Sequence, residues 1–230
     1  MRTTLLTILA VGATLGPMAM AAEKESKVAD RLDASADVLQ DMMHASDKGI
    51  PQDLLDKAQC VVVVPNMKKA GFIFGAKYGR GFAMCRRASR VGWTAPAAIH
   101  IEGGSFGLQI GASESDLVML VMNEKGMKHL LSDKFTIGTE AAGAAGPVGR
   151  EATAQTDAAL QAEILSYSRS RGVFGGLTLN GATLMPDKDS DHDLYGHDIT
   201  NKEILSGDVK APAEAARLEH AITRESARKS

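Results

Sequence analysis

The chain has 230 residues, 44% of them hydrophobic, and its 26 Lys and Arg stand against 28 Asp and Glu. That near-neutral balance excludes a protein held to nucleic acid by its overall charge. The length suits one domain with a sizeable core.

In chain order, the N-terminal residues read as an export signal. Arg2 supplies a positive start, Leu5 to Leu15 an apolar stretch, and Ala19-Met20-Ala21 a small-residue cleavage site. The apolar stretch falls short of the roughly 20 residues of a spanning helix. The expectation is a signal peptide over residues 1–21 and an exported, periplasmic chain beginning near Ala22. Val28, Leu32, Ala36, Leu39 and Met43 then form one helical stripe, and Gly49 with Pro51 ends it. Asp30, Asp33, Asp37 and Asp41 occupy the other face. An acidic polar face favours core packing over a membrane surface, so residues 22–58 are expected to pack as a helical segment on the domain.

From Cys60 the pattern changes to short runs punctuated by glycine: Cys60 to Val64, Gly71 to Lys77, Gly81 to Arg86, Ala97 to Ile101, Gly107 to Gly111 and Asp116 to Met122. These read as strands of an antiparallel sheet. Cys60 and Cys85 fall at the start and end of a three-strand run, where they form either a disulfide or two buried thiols. A brief helix is expected at Glu124 to Leu131. Strands resume at Phe135 to Gly138, Ala162 to Tyr167 and Val173 to Leu179, and Asn180-Gly181 predicts a two-residue hairpin into Ala182 to Met185. A last helix covers Ala213 to Ile222. Central strands with helices at both ends give an α+β fold, a strongly curled antiparallel sheet or partly closed β-barrel. The domain is expected over residues 59–224, with a tail at 225–230.

Charge is segregated within the sheet. From Val61 to Ile101 there are Lys68, Lys69, Lys77, Arg80, Arg86, Arg87 and Arg90, and no Asp or Glu. Strands hold cations in fixed rows, so the run reads as a face able to attract an anionic surface. Arg80, Arg86, Arg87 and the more distant Arg150 are the best phosphate-facing candidates, because a guanidinium binds bidentately. The competing reading pairs them with the C-terminal acidic run of the same domain. Tyr78 and Trp93 are candidate apolar contacts with a membrane, and Phe72 reads first as core.

Several words of this sequence occur in a fixed order: Lys69-Ala-Gly-Phe, Gly75-Ala-Lys-Tyr-Gly-Arg-Gly81, Trp93-Thr-Ala-Pro96, Gly107-Leu-Gln-Ile-Gly111, Asp116-Leu-Val, Ala144-Ala-Gly-Pro-Val-Gly-Arg150, Glu163-Ile-Leu-Ser-Tyr-Ser-Arg-Ser-Arg-Gly172 and Tyr195-Gly196. Together they resemble the SYLF lipid-binding domain family, an actin-regulator domain in fungal proteins, over about residues 50 to 222. The resemblance implies binding of anionic phospholipid headgroups, phosphoinositides in eukaryotic relatives, with no catalysis and no cofactor. An exported bacterial chain would meet phosphatidylglycerol or cardiolipin rather than phosphoinositides or actin. Where the family usually has Ala-Asn before its Tyr-Gly, this chain has Ser190-Asp191. An envelope protein-interaction module without lipid selectivity is the alternative that needs no headgroup.

Three other motifs point elsewhere. Gly103-Gly-Ser105-Phe-Gly107 satisfies the G-x-S-x-G elbow of serine hydrolases, with Asp187 or Asp191 and His192 or His197 downstream, but the sequence after it continues as a strand rather than a helix. Asp187, Asp189, Asp191 and Asp198 take the first, third, fifth and twelfth places of a calcium loop, although His192 stands where the loop needs glycine. Zinc through His192 and His197 is a further option there, and a solvated acidic loop is the plain reading. The glycine-rich run Ala141 to Arg150 could form an anion nest, but it lacks the Lys-Ser/Thr ending of a nucleotide loop.

Overall fold

The computed structural model describes residues 17–45, 49–71, 74–89, 91–106, 111–148, 162–170, 173–207 and 209–226. Most of residues 1–21, together with Phe72, Arg90, Gly107 and Arg150, lie outside them. Helix α1 (Pro17–Met43) and the short α2 (Gln52–Lys57) lead into four long strands, β1 (Cys60–Gly71), β2 (Phe74–Cys85), β3 (Ala97–Phe106) and β4 (Gly111–Val121). Helix α3 (Glu124–Leu130) follows, then β5 (Phe135–Thr136), β6 (Gly143–Ala145), β7 (Ile164–Ser170), β8 (Val173–Gly176) and β9 (Ala182–Pro186). Helices α4 (Lys188–Tyr195), α5 (Asn201–Leu205) and α6 (Ala216–Glu225) complete the chain, α6 entered through a 3-10 turn at Ala213–Ala215.

The nine strands form one curled sheet in the order β5-β9-β3-β2-β1-β4-β7-β6, with β8 also on β7. Every pairing is antiparallel except β6 with β7, so the sheet is mixed and closes into a half-barrel. Each face has its own core. On the outer face Val61, Val63, Phe82, Met84, Val118 and Leu120 pack under α1 and α6. On the inner face Val62, Val64, Ile99, Ile101, Leu117 and Met119 enclose Phe135, Ile137, Leu179 and Leu184. Cys60 to Val64 are at most 3% exposed because both faces are covered there, which explains a continuous apolar run with no alternation.

Sequence and structure differ in three places, each for a physical reason. The run from Cys60 to Cys85 is two long strands rather than three short ones. They pair from Cys60↔Cys85 at one end to Gly71↔Gly75 at the other. A two-strand hairpin brings its first and last residues to the same end, and the two cysteines are disulfide-bonded there. The expected hairpin at Asn180-Gly181 does not form. Ala182 N–H donates to Leu179 O and closes a turn, but β8 pairs with β7 while β9 pairs with β3 and β5. Only Gly181 has positive φ (77°), as in a type II turn, whereas the I′ turns of tight hairpins need it at both central residues. Finally, Asp187 to Asp198 is not a solvated loop: most of it is helix α4.

A bulge in β1 sets the face of every residue beyond it. Between Val63↔Phe82 and Lys68↔Tyr78 the first strand spends five residues where the second spends four. The same single extra residue separates Val64↔Leu117 from Met67↔Ser115. Pro65, which has no N–H to give the ladder, and Asn66, in the left-handed region at φ 51°, occupy it. Opposite the bulge, a Cβ on Gly81 would lie 1.9 Å from Val63 O, so only glycine fits.

α1 buries Val28, Leu32, Ala36, Val38, Leu39 and Met42. Its carboxylates face protein cations: Arg217 of α6 pairs with Asp33 and Asp37, and Arg169 of β7 pairs with Asp41 at 2.6 Å and Asp116 at 3.0 Å. The acidic face therefore fastens the helix to the domain.

Candidate anion-binding face of the sheet

Folding the carboxylate-free run into a hairpin divides its cations between two ends. Lys68, Lys69, Lys77 and Arg80 lie at the distal end, near the Gly71↔Gly75 closure, and Arg86 and Arg87 follow Cys85 at the open end. Lys77 and Arg86 are nine residues apart along one strand, about 30 Å at ~3.3 Å per residue. The cations thus do not make a single face.

At the open end the arginines hold the fold. Arg86 donates from Nε to Ala58 O at 3.0 Å and from Nη2 to Leu55 O at 3.1 Å, closing the C-terminus of α2, and it stacks 4.5 Å from the Trp93 ring centroid. Arg87 donates to Trp93 O at 2.8 Å. Trp93 is 5% exposed and its indole N–H donates to Ser226 Oγ at 2.7 Å, so it is core and presents no surface to a membrane.

At the distal end the two faces differ in charge. On the outer face, the flanking strands return the carboxylates that the run lacks: Tyr78 is in register with Glu102, and Lys68 with Glu114, whose carboxylate is 3.9 Å from Lys68 Nζ. Arg80 Nε lies 3.3 Å from Asp187 and 2.7 Å from the Tyr78 hydroxyl. Burial opposes its charge, but these partners outweigh burial and raise its pKa. The C-terminal acidic run thus neutralises this arginine. Arg31 of α1, which carries no motif in the sequence to mark it, joins the cluster: it donates to Ser190 Oγ at 3.1 Å and lies 4.0 Å from Asp187. A cleft of about 730 Å³ opens beside the Lys68–Glu114 pair and reaches Lys69 and Ser113 of the inner face; Asp116 and Arg169 also line it, so both signs of charge are present.

The inner face is different. Beyond the bulge, one row across β4, β1, β2 and β3 reads Ser113, Lys69, Lys77, Gly103. The row distal to it has Gly111, Gly71, Gly75 and Ser105 on β4, β1, β2 and β3. Lys69 and Lys77 are direct cross-strand partners, a juxtaposition of like charges that weakens a sheet. Among the described residues no carboxylate is in ion-pair distance of either. Both are half-buried. Burial lowers the pKa of each, and the charge of Lys69 lowers that of Lys77 further. Tyr78 is 44% exposed beside them on the opposite face.

The acidic segment is structural. Asp187 caps α4 by accepting from Ser190 N and Oγ. Asp191, fully buried, accepts the Ala98 N–H at 2.7 Å, while Ala98 O accepts from Asp187 N–H and from the Asn201 amide, both at 3.0 Å. β9 ends one residue before, at Ile99↔Pro186, so these groups satisfy the open edge of β3. Asp189 and Asp198 are exposed, and His192 pairs with Asp198 at 2.9 Å. Among the described residues no three His, Cys, Asp or Glu are placed to hold a metal, and no helix is long and apolar enough to cross a membrane. Ser105 lies inside β3, with no strand-to-helix elbow before its end at Phe106. It stands seven residues, roughly 20 Å, from the Ala98 edge where Asp187 and Asp191 sit, so those acids do not reach it as a triad.

Residues 102–225, more than half of the chain, match the family described as Ysc84: Las17-binding protein actin regulator. This chain belongs to the Ysc84 family. It is 36% identical over 173 residues to the SH3 domain-containing protein PJ696.02 of Schizosaccharomyces pombe, covering 74% of this chain and 40% of that protein. It is 35% identical over 174 residues to the SH3 domain-containing YSC84-like protein 1 of Xenopus laevis, covering 75% of this chain and 51% of the relative. With LAS seventeen-binding protein 3 of Saccharomyces cerevisiae the identity is 30% over 199 residues, 85% of this chain and 43% of that protein. The chain spans about half, or less, of these relatives. The description of the Ysc84 family is of binding and regulation rather than catalysis. In this Ysc84 domain two of the ordered sequence words meet in space: the Tyr195 hydroxyl donates to Pro96 O at 2.6 Å, and Gly196, at φ 76°, ends α4. Both contacts are architectural.

Proposed function

We propose that this Ysc84 domain binds anionic phospholipid at a membrane surface, without catalysis, through the distal end of the β1–β2 hairpin. The observation that carries the reading is the gathering there of Lys68, Lys69, Lys77 and Arg80 beside the exposed Tyr78. Lys68 and Arg80 are partly neutralised by Glu114 and Asp187. At about 1 kcal/mol per basic residue near an anionic surface, the four contribute roughly 2 to 3 kcal/mol, which corresponds to weaker than ~1 mM affinity from charge alone. Useful binding then requires directed contacts with a headgroup or several copies on one surface. The leader-like residues 1–21 and the Cys60–Cys85 disulfide support an exported location, where phosphatidylglycerol and cardiolipin are the anionic lipids to test.

Flotation of the chain from Ala22 onward with neutral phosphatidylcholine vesicles, and with vesicles containing phosphatidylglycerol or cardiolipin, tests this at low and high salt. Binding to the anionic vesicles that weakens with salt is expected. Equal failure to float on all of them refutes the reading.

A further inference from the structure

We propose that Lys69 and Lys77 form a two-point site for a single phosphate group on the inner face of the half-barrel, so that this face, rather than the helix-covered one, receives the ligand. The lipid reading above supplies the source of the phosphate; the chemistry of the site stands without it. The bulge at Pro65-Asn66 makes the pair, because without its extra residue Lys68 instead of Lys69 would share a face with Lys77. Glycine lies beyond each lysine toward the hairpin closure, Gly71 on β1 and Gly75 on β2, while at Gly103, which flanks Lys77 on β3, the backbone of Gly181 and Ala182 takes the space a side chain would need. Gly71 and Gly75 carry no Cβ, so the lysine stems can lie along the backbone there.

The other distal cations already have partners: Lys68 has Glu114, and Arg80 has Asp187 and Tyr78. Two ammonium groups held on adjacent strands, with no carboxylate in ion-pair distance among the described residues, are a repulsive pair that an anion between them turns into two charge-assisted hydrogen-bond contacts. Each ammonium has three donors and no acceptor, which matches phosphate oxygens. The half-burial of both side chains, which disfavours their charge, points the same way. Ser113, in register with Lys69, places one neutral hydroxyl residue at the β4 side of the row.

The test follows the lysine side chains by NMR, through their Cε shifts, while the protein is titrated with inorganic phosphate or glycerol phosphate, and runs vesicle flotation alongside. Lys69→Gln and Lys77→Gln should each weaken binding about tenfold, the size of one contact to a charged group. The double variant should lose little more than either single one, because a two-point site fails when either point is removed. Arg87→Gln, at the open end of the hairpin, should change binding less than threefold, and all of these variants should keep the native circular dichroism spectrum. Shifts of both lysines together with vesicle binding that glycerol phosphate competes away identify a lipid headgroup as the ligand. Shifts of both lysines with no vesicle binding leave the site standing for soluble phosphate compounds and remove the lipid reading. Vesicle binding unchanged in Lys69→Gln and Lys77→Gln overturns the site and leaves the lipid reading, and absence of both signals removes the two together.

Discussion

Asp191→Asn should change how stability depends on pH more than it changes stability itself. The Asp191 carboxylate is fully buried and accepts the Ala98 N–H through Oδ1, while Oδ2 has no hydrogen-bond partner. Burial raises its pKa from 3.8 to about 7; the Ala98 hydrogen bond opposes the rise and the Asp187 charge adds to it. A carboxyl whose folded pKa lies above its unfolded value binds a proton more tightly in the native state. Its contribution is therefore intact below pH ~4 and is lost as pH rises to about 7. A difference of about three pH units corresponds to about 4 kcal/mol, of which about 3 falls between pH 5 and pH 8.5. The asparagine amide keeps an oxygen for Ala98 but cannot ionise, and its NH2 adds a buried donor that costs about 1 to 3 kcal/mol if unpaired. Urea unfolding at pH 5, 7 and 8.5 should show the native chain losing about 3 kcal/mol that the variant keeps, leaving Asp191→Asn the more stable at pH 8.5 by about 1 to 3 kcal/mol, the full ionisation cost of about 4 less the 1 to 3 of the amide. Glu219, whose pKa burial also raises, acts equally in both proteins and cancels. Parallel curves for the two proteins would show that Asp191 ionisation is not linked to folding and would refute the argument.

Arg86→Gln removes two contacts to α2 carbonyls and the stack on Trp93. It should cost about 2 to 3 kcal/mol, lowering Tm by about 4 to 10 °C, while vesicle flotation stays unchanged; lost flotation with an unchanged Tm would place Arg86 at the ligand. Reducing the Cys60–Cys85 disulfide, which closes a sequence separation of 25, should lower the free energy of urea unfolding by about 3 kcal/mol. No change would mean that the hairpin register alone keeps the ends together in the unfolded ensemble.

The sequence was informative where local rules act alone. The apolar stripe of α1, the α+β class, most strands and the helix at Glu124 follow from periodicity and glycine placement. The stripe shows how little shifts: Met42 rather than Met43 completes it. Errors arose where the outcome depends on which strand lies next to which. Asn180-Gly181 is a turn as expected, yet the strands on either side join opposite ends of the sheet. Asp187 to Asp198 reads as a loop because its carboxylates repel, but Ala98 and Arg80 supply the partners that fold it into a helix.

The candidate site shows the division most clearly. Composition alone establishes that residues 61–101 carry seven cations and no carboxylate, and the ordered sequence words alone point to the family. Tertiary structure decided which cations remain available. An even number of strands brought Cys60 to Cys85 and sent Arg86 away from Lys77. Neighbouring strands and α4 returned Glu102, Glu114 and Asp187 to the outer face. One extra residue at Pro65-Asn66 put Lys69 beside Lys77. Charge along a chain is a property of sequence, but the field a partner meets depends on side-chain faces and cross-strand neighbours, and a single-residue change in register exchanges them.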